Sequence, residues 1–357
     1  MIGGSGLAVV ALASGCSSTR DEHLAGSALQ ITAQNTVAAR IVSPVDASTP
    51  PDDDGADAGI DGAAACQPRR LGTGVAITGT DGAPLAVDRS DTLVVIETRA
   101  HDGDWQAASD VLVEWDSKPL LDVAIVADTS GSEYKHLTDE KNALQQFASR
   151  IFMSSPSNRS NRVGLVRVST GAKVYEPLTT NQAELETAIG NLFIHHGWTA
   201  LWDGLRKANE ILAAAPPRDS ASCYPGAFRS IVAFTDGREN NSSAQESIVD
   251  DDGIDTSYAD VLGLHVGAGQ TAIYTVGVGR HLDEPPLQAL SAQTGGQYAR
   301  IEDWSKLADA LERTAASLDG LFPVCFVPPT CDAVEGRATV KRRSDGALLG
   351  QRVFTLP

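Results

Sequence analysis

Through the middle of the chain, short continuous apolar runs alternate with stretches of helical periodicity. Val123-Ala124-Ile125-Val126-Ala127, residues 163–168 and Ile231-Val232-Ala233-Phe234 have the length of strands and lack the polar alternation of a half-solvated one. Leu144, Phe147, Ala148 and Ile151 fall at i, i+3, i+4 and i+7 and predict an amphipathic helix. Leu185, Ala188, Ile189 and Leu192 mark a second helix, and Leu201, Leu205, Ala208 and Leu212 a third. Leu307, Leu311 and Leu318 mark a last one, with Asp303 as its candidate N-cap. Buried strands alternating with such helices predict an α/β fold, a doubly wound, mostly parallel sheet covered on both faces. These periodic residues are core and carry no chemistry.

The pattern changes on either side. Residues 66–118 read as β-structure, from Val75-Ala76-Ile77 through Leu93-Val94-Val95-Ile96 to Val111-Leu112-Val113-Glu114-Trp115. Residues 321–357 hold two more apolar stretches, 337–341 and 352–356, around the hairpin-like Ser344-Asp345-Gly346. Because domain ends often lie close together, the two flanks are expected to form one small flanking β-module with the α/β domain, residues 119–320, inserted in it. Residues 17–65 are rich in Ala, Asp, Pro, Ser and Thr and read as a flexible acidic tether, with one strand expected within residues 31–42.

Candidate chemistry sits where the apolar runs end. The first run leads into Asp128-Thr129-Ser130-Gly131-Ser132, a carboxylate and two hydroxyls at alternate positions on a glycine-bearing turn. Such hard oxygen donors suit Mg²⁺, Mn²⁺ or Ca²⁺ rather than zinc or copper. Open α/β sheets also bind ligands beyond the carboxyl ends of their strands. A polar turn capping a helix explains these five residues equally well. Two further segments decide between the readings: Gly197-Trp198-Thr199, and a second run that ends in Thr235-Asp236-Gly237.

Asp-x-Ser-x-Ser, then Gly-x-Thr, then Thr-Asp-Gly after an apolar run, in this order, resembles the von Willebrand factor type A domain. The resemblance covers residues 120–318 and includes Ile273-Tyr274-Thr275-Val276-Gly277-Val278-Gly279 as a further core strand. It also includes Thr294-Gly295-Gly296-Gln297-Tyr298 as the turn into the last strand. It implies a Rossmann-like fold with a metal-ion-dependent adhesion site. Asp128, Ser130 and Ser132 would come from the first loop, Thr199 from the second and Asp236 from the third. Asp236 would act largely through water, and an Asp or Glu carboxylate of a protein partner would complete the coordination of the cation. Trp198 stands where the family usually has a small residue, so its indole either narrows the cleft or serves as a contact surface. Arg238, Glu239 and Asn240, with the acidic stretch at 250–255, are candidate ligand rim or an ordinary polar loop.

The net charge of −18 opposes nucleic acid binding. Leu7 to Ala13 is apolar and leads to Ala13-Ser14-Gly15-Cys16, which resembles a bacterial lipobox, although no Lys or Arg precedes it. Cys16 is therefore the expected lipidation site of a signal spanning residues 1–16. That implies a lipid-anchored protein of the bacterial cell envelope, on the outer membrane by the Ser17 that follows. The other cysteines, Cys66, Cys223, Cys325 and Cys331, form an even set suited to two disulfides in an oxidising compartment. Zinc is the lesser alternative for them, since no Cys-x-x-Cys pair occurs.

The expected function is divalent-metal-dependent protein binding, in adhesion or assembly, without enzymatic activity. A metal-dependent hydrolase is the alternative. His195 and His196 invite a general base, yet Ser130 stands where a dehalogenase-type phosphatase needs a second Asp. A structural subunit whose metal serves folding alone is the third reading.

Overall fold

The computed structural model describes residues 30–38, 70–78, 84–85, 87–131, 135–195, 197–216, 218, 224, 226–236, 239–240, 242, 253–265, 271–279 and 282–356. Cys16, Cys66, Ser132, His196, Cys223 and Arg238 lie outside the described residues, as does the acidic stretch at 250–252. Among the described residues no helix is long and apolar enough to cross a membrane.

Strand β6 (Leu120–Asp128) is buried along its whole length. It pairs in parallel with β7 (Arg162–Val168) on one side and β9 (Ala227–Thr235) on the other. Strands β10 (Ala272–Val278) and β11 (Tyr298–Ile301) extend the sheet in parallel, and β8 (Ala172–Thr179) closes the opposite edge antiparallel to β7. The order β11-β10-β9-β6-β7-β8 makes a mostly parallel six-stranded sheet.

Alternate residues of β6 serve opposite layers. Leu121, Val123, Ile125 and Ala127 join one core with helices α1 (Leu137–Met153), α2 (Gln182–Gly190) and α6 (Leu307–Asp319). Ala124 and Val126 join the other, with α3 (Leu201–Ala214), α4 (Tyr258–His265) and α5 (Glu284–Thr294). The helices predicted from periodicity are α1, α2, α3 and α6. Asp303 caps a short 3₁₀ turn, Trp304–Lys306, immediately before α6 rather than α6 itself. Helix α5 was not foreseen, although two prolines in its first turn and Gly295 in the left-handed region at its end are ordinary boundary signals.

The flanks form two four-stranded sheets around a third apolar core. One has the order β1-β2-β12-β5 and the other β14-β13-β3-β4. Strands β1 (Gln30–Ala38), β2 (Leu71–Thr78), β3 (Thr92–Ala100), β4 (Gln106–Ala107) and β5 (Ser109–Val113) precede the α/β domain. Strands β12 (Phe322–Val327), β13 (Ala333–Arg342) and β14 (Leu348–Thr355) follow it. Both sheets mix strands from the two ends, with β12 between β2 and β5 and β13 beside β3. β12 was not among the strands expected from the sequence, and it carries Pro323, a residue unfavourable in an interior strand. Here Pro323 pairs opposite Gly74, and its carbonyl accepts a hydrogen bond from Glu114 N at 2.9 Å.

One ion pair is buried where β6 begins. Asp122 accepts hydrogen bonds from Arg162 Nε at 2.8 Å and Nη2 at 2.6 Å, and Arg218 Nη1 adds another at 3.3 Å. Asp122→Ala should leave the Arg162 guanidinium buried beside no counter-charge, a loss of about 3–5 kcal/mol. Urea unfolding of the two proteins measures this, and a change of a few tenths would mean that the pair is solvated.

Candidate functional site

The order of the sheet reverses direction between β6 and β9. The chain goes from β6 to its neighbour β7, then returns to the other side of β6 for β9 and β10. Such a switch point leaves a crevice beyond the strand ends. Asp128 ends β6, and Asp236 follows β9 directly.

Asp128 lies on the side of β6 that also carries Ala124 and Val126, facing the α3 layer, and it is fully buried. Its Oδ2 accepts a hydrogen bond from Thr235 Oγ1 at 2.5 Å, and its Oδ1 accepts one from Ser130 N at 3.0 Å. Burial pushes its pKa up to about 6 against those donors, and the nearby charge of Asp236 raises it further. Its neighbour Thr129 turns to the sheet, donating N and Oγ1 to Val168 O at 2.8 and 3.1 Å.

The second loop rests on the first. His195 N donates to Thr129 O at 3.0 Å, and Ala200 N donates to Ser169 O at 2.8 Å. Gly197 has a φ of 151°, and a Cβ there would lie 1.9 Å from Thr170 Oγ1, so only glycine permits this approach. The loop brings Thr199, itself buried, to the N-terminus of α3.

The third loop locks onto the second. Thr199 N donates to Asn240 Oδ1 at 2.8 Å, and Asn240 N donates to Thr199 O at 3.1 Å. Ala200 has no side chain able to cap α3, and Glu239 does so from outside, accepting from Trp202 N at 3.0 Å. The same carboxylate holds Ser242 through its N at 2.7 Å and its Oγ at 2.8 Å. Glu239 and Asn240, expected at a ligand rim, thus spend their polar atoms joining two loops. Trp198 is 60% exposed and Phe193 is 51% exposed, which leaves an apolar surface on the second loop. The His195 ring lies 5.9 Å from the Phe193 ring, and among the described residues its Nδ1 has no hydrogen-bond partner.

Two participants escaped the sequence reading. Thr235 was visible only as part of a motif, and its hydroxyl anchors the Asp128 carboxylate. Glu140 stands four residues before Leu144, where the apolar stripe of α1 would continue, and that break in the stripe was its signal. It is fully buried, and its pKa lies well above the ordinary range through burial and the charges of Asp128 and Asp236.

Asp128, Ser130, Thr199 and Asp236 fit a hard divalent cation. They supply carboxylate and hydroxyl oxygens, and Asp128 is buried with hydroxyl and amide donors but no cationic side chain among the described residues acting on it. In metal-free protein the folded state keeps protons on Asp128 and Glu140 that the unfolded chain has already released. Stability therefore falls as pH rises from about 4 through about 6. Thermal unfolding in excess chelator should show this decline, and Asp128→Asn should reduce it by up to about 3 kcal/mol. A decline unaltered by Asp128→Asn would assign the effect to other groups.

No curated protein matches the chain. Among solved structures it is similar to proximal thread matrix protein 1 from the mussel byssus, at 19% identity and a TM-score of 0.46, over 60% of this chain and 49% of that one. The chain thus spans about half the length of that protein, whose metal-ion-dependent adhesion motif holds zinc in one structure. A von Willebrand factor type A protein from Catenulispora acidiphila is similar at 16% identity and a TM-score of 0.43, over 82% of this chain and 70% of that one. The corresponding domain of the pilus tip protein Mfa5 from Porphyromonas gingivalis is similar at 14% identity and a TM-score of 0.41, over 57% of this chain and 96% of that one. The family model of the von Willebrand factor type A domain matches residues 122–313, more than half of the sequence, and the chain belongs to that family.

Proposed function

We propose that this protein binds a protein ligand through a divalent cation held by Asp128, Ser130, Ser132 and Thr199, with Asp236 acting through water. The family is typically one of adhesion and protein-interaction domains. The observation that carries the metal-dependent reading is Asp128, a fully buried carboxylate at a switch-point crevice with no cationic side chain among the described residues acting on it. When bound, the cation supplies an electrophilic centre for a partner's Asp or Glu carboxylate. The chain's own residues do the rest. Thr235 and Ser130 orient the Asp128 carboxylate, the Thr199–Asn240 hydrogen bonds fix the second loop against the third, and exposed Trp198 and Phe193 offer apolar contact beside the crevice. The donor set favours Mg²⁺ or Mn²⁺, with Ca²⁺ next.

The proposal extends to location. Cys16 would carry the lipid that holds the protein on the cell envelope, with residues 17–65 spanning from the membrane. Two disulfides among Cys66, Cys223, Cys325 and Cys331 would suit that oxidising compartment.

Calorimetric titration with Mg²⁺, Mn²⁺ and Ca²⁺ should show binding by the wild-type chain and none by Asp128→Ala, with the fold retained. Thr199→Ala should weaken the metal, and partner capture should disappear with chelator and return with Mg²⁺. Capture that persists in excess chelator would reduce any metal to a structural role. Separately, Cys16→Ser should release the protein from membranes or stall its processing, because two acyl chains anchor stably where one does not. A Ser variant with unchanged mobility and membrane fractionation would exclude the anchor.

A further inference from the structure

Glu140 lies in the first turn of α1, on the buried stripe that continues through Ala143, Leu144 and Phe147. Its residue exposure is zero, and neither carboxylate oxygen has a hydrogen-bond partner. A buried carboxylate without partners costs several kcal/mol, and an apolar residue on this stripe would avoid that cost. Its electrostatic neighbours are specific. The charges of Asp128 and Asp236 both bear on it, opposed only by Lys141, which lies next to it in sequence. The three carboxyl groups thus face one region from α1, β6 and the loop after β9. Among the described residues, no three carboxylate, imidazole or thiol groups converge closely enough to hold one ion directly.

We propose that Glu140 is a third carboxylate of the cation site, acting through the cation's hydration shell. The inference rests on the metal-binding reading above and adds to it a residue outside the three loops. Water at the crevice would donate to the two bare oxygens of Glu140, as the outer partners of bound metals commonly accept hydrogen bonds. The arrangement places negative charge behind the cation and leaves the solvent-facing side open for a partner. It also ties the start of α1 to the metal, although α1 contributes no direct ligand.

The test is Mg²⁺ and Mn²⁺ titration of the full chain as wild type, Glu140→Gln, Glu140→Met and Asp128→Ala, with thermal unfolding of each in chelator. Glu140→Gln and Glu140→Met should both bind metal about 10–100-fold more weakly. Their unfolding temperatures in chelator should equal or exceed that of the wild type, since an uncompensated carboxylate has been removed. Two variants guard against a packing defect peculiar to one of them. Wild-type metal affinity in both, with Asp128→Ala unable to bind, would overturn the role of Glu140 and leave the metal site standing. Lower stability in chelator with unchanged metal affinity would overturn it equally. Wild-type affinity in Asp128→Ala as well would instead remove the metal-site reading on which the inference rests.

Discussion

Strand β6 is covered by helices on both faces, and its last residue is an aspartate. That carboxylate has lost its water, and the chain returns to it one hydroxyl from Thr235 and one amide from Ser130. These donors offset part of the cost of burial without reversing it, so the pKa of Asp128 remains near 6. Asp236 and Glu140 bring further negative charge to the same region. Among the described residues, burial and the neighbouring Asp236 carboxylate both raise the pKa of Asp128, and no cationic group is among the causes acting on it.

The loops around Asp128 behave as one unit because their backbones are bonded to one another. The second loop hangs on Thr129 and Ser169, and the third is clamped to the second through Thr199 and Asn240. Glu239, from the third loop, caps α3, so the third loop is tied to the start of that helix as well as to the second loop.

The flanking β-module brackets the α/β domain. Strand β5 leads toward β6, helix α6 runs into β12, and β5 and β12 pair with each other. Both ends of the α/β domain are thus held by a single sheet. The ledger of local preference is broken there by Pro323, whose missing N–H is tolerated in an interior strand.

Periodicity in the sequence was enough to determine the alternation of buried strands and amphipathic helices, because apolar spacing follows directly from local geometry. The order of three short polar motifs was enough to pick out Asp128, at the end of β6, Thr199, just before α3, and Asp236, just after β9. Other features depended on distance in space, which spacing along the chain does not encode. Glu239, a candidate for the ligand rim or an ordinary polar loop, is also a helix cap 37 positions from the amide it holds. β8 and β12 were not among the strands expected from the sequence; β8 pairs antiparallel with β7, and β12 pairs with β2 and β5. Glu140 read as one polar residue in a helix, and only packing α1 against the crevice buried it beside two other carboxylates. Burial and like charge are properties of the assembled layers, and together they raise the pKa of an otherwise ordinary glutamate well above its usual range.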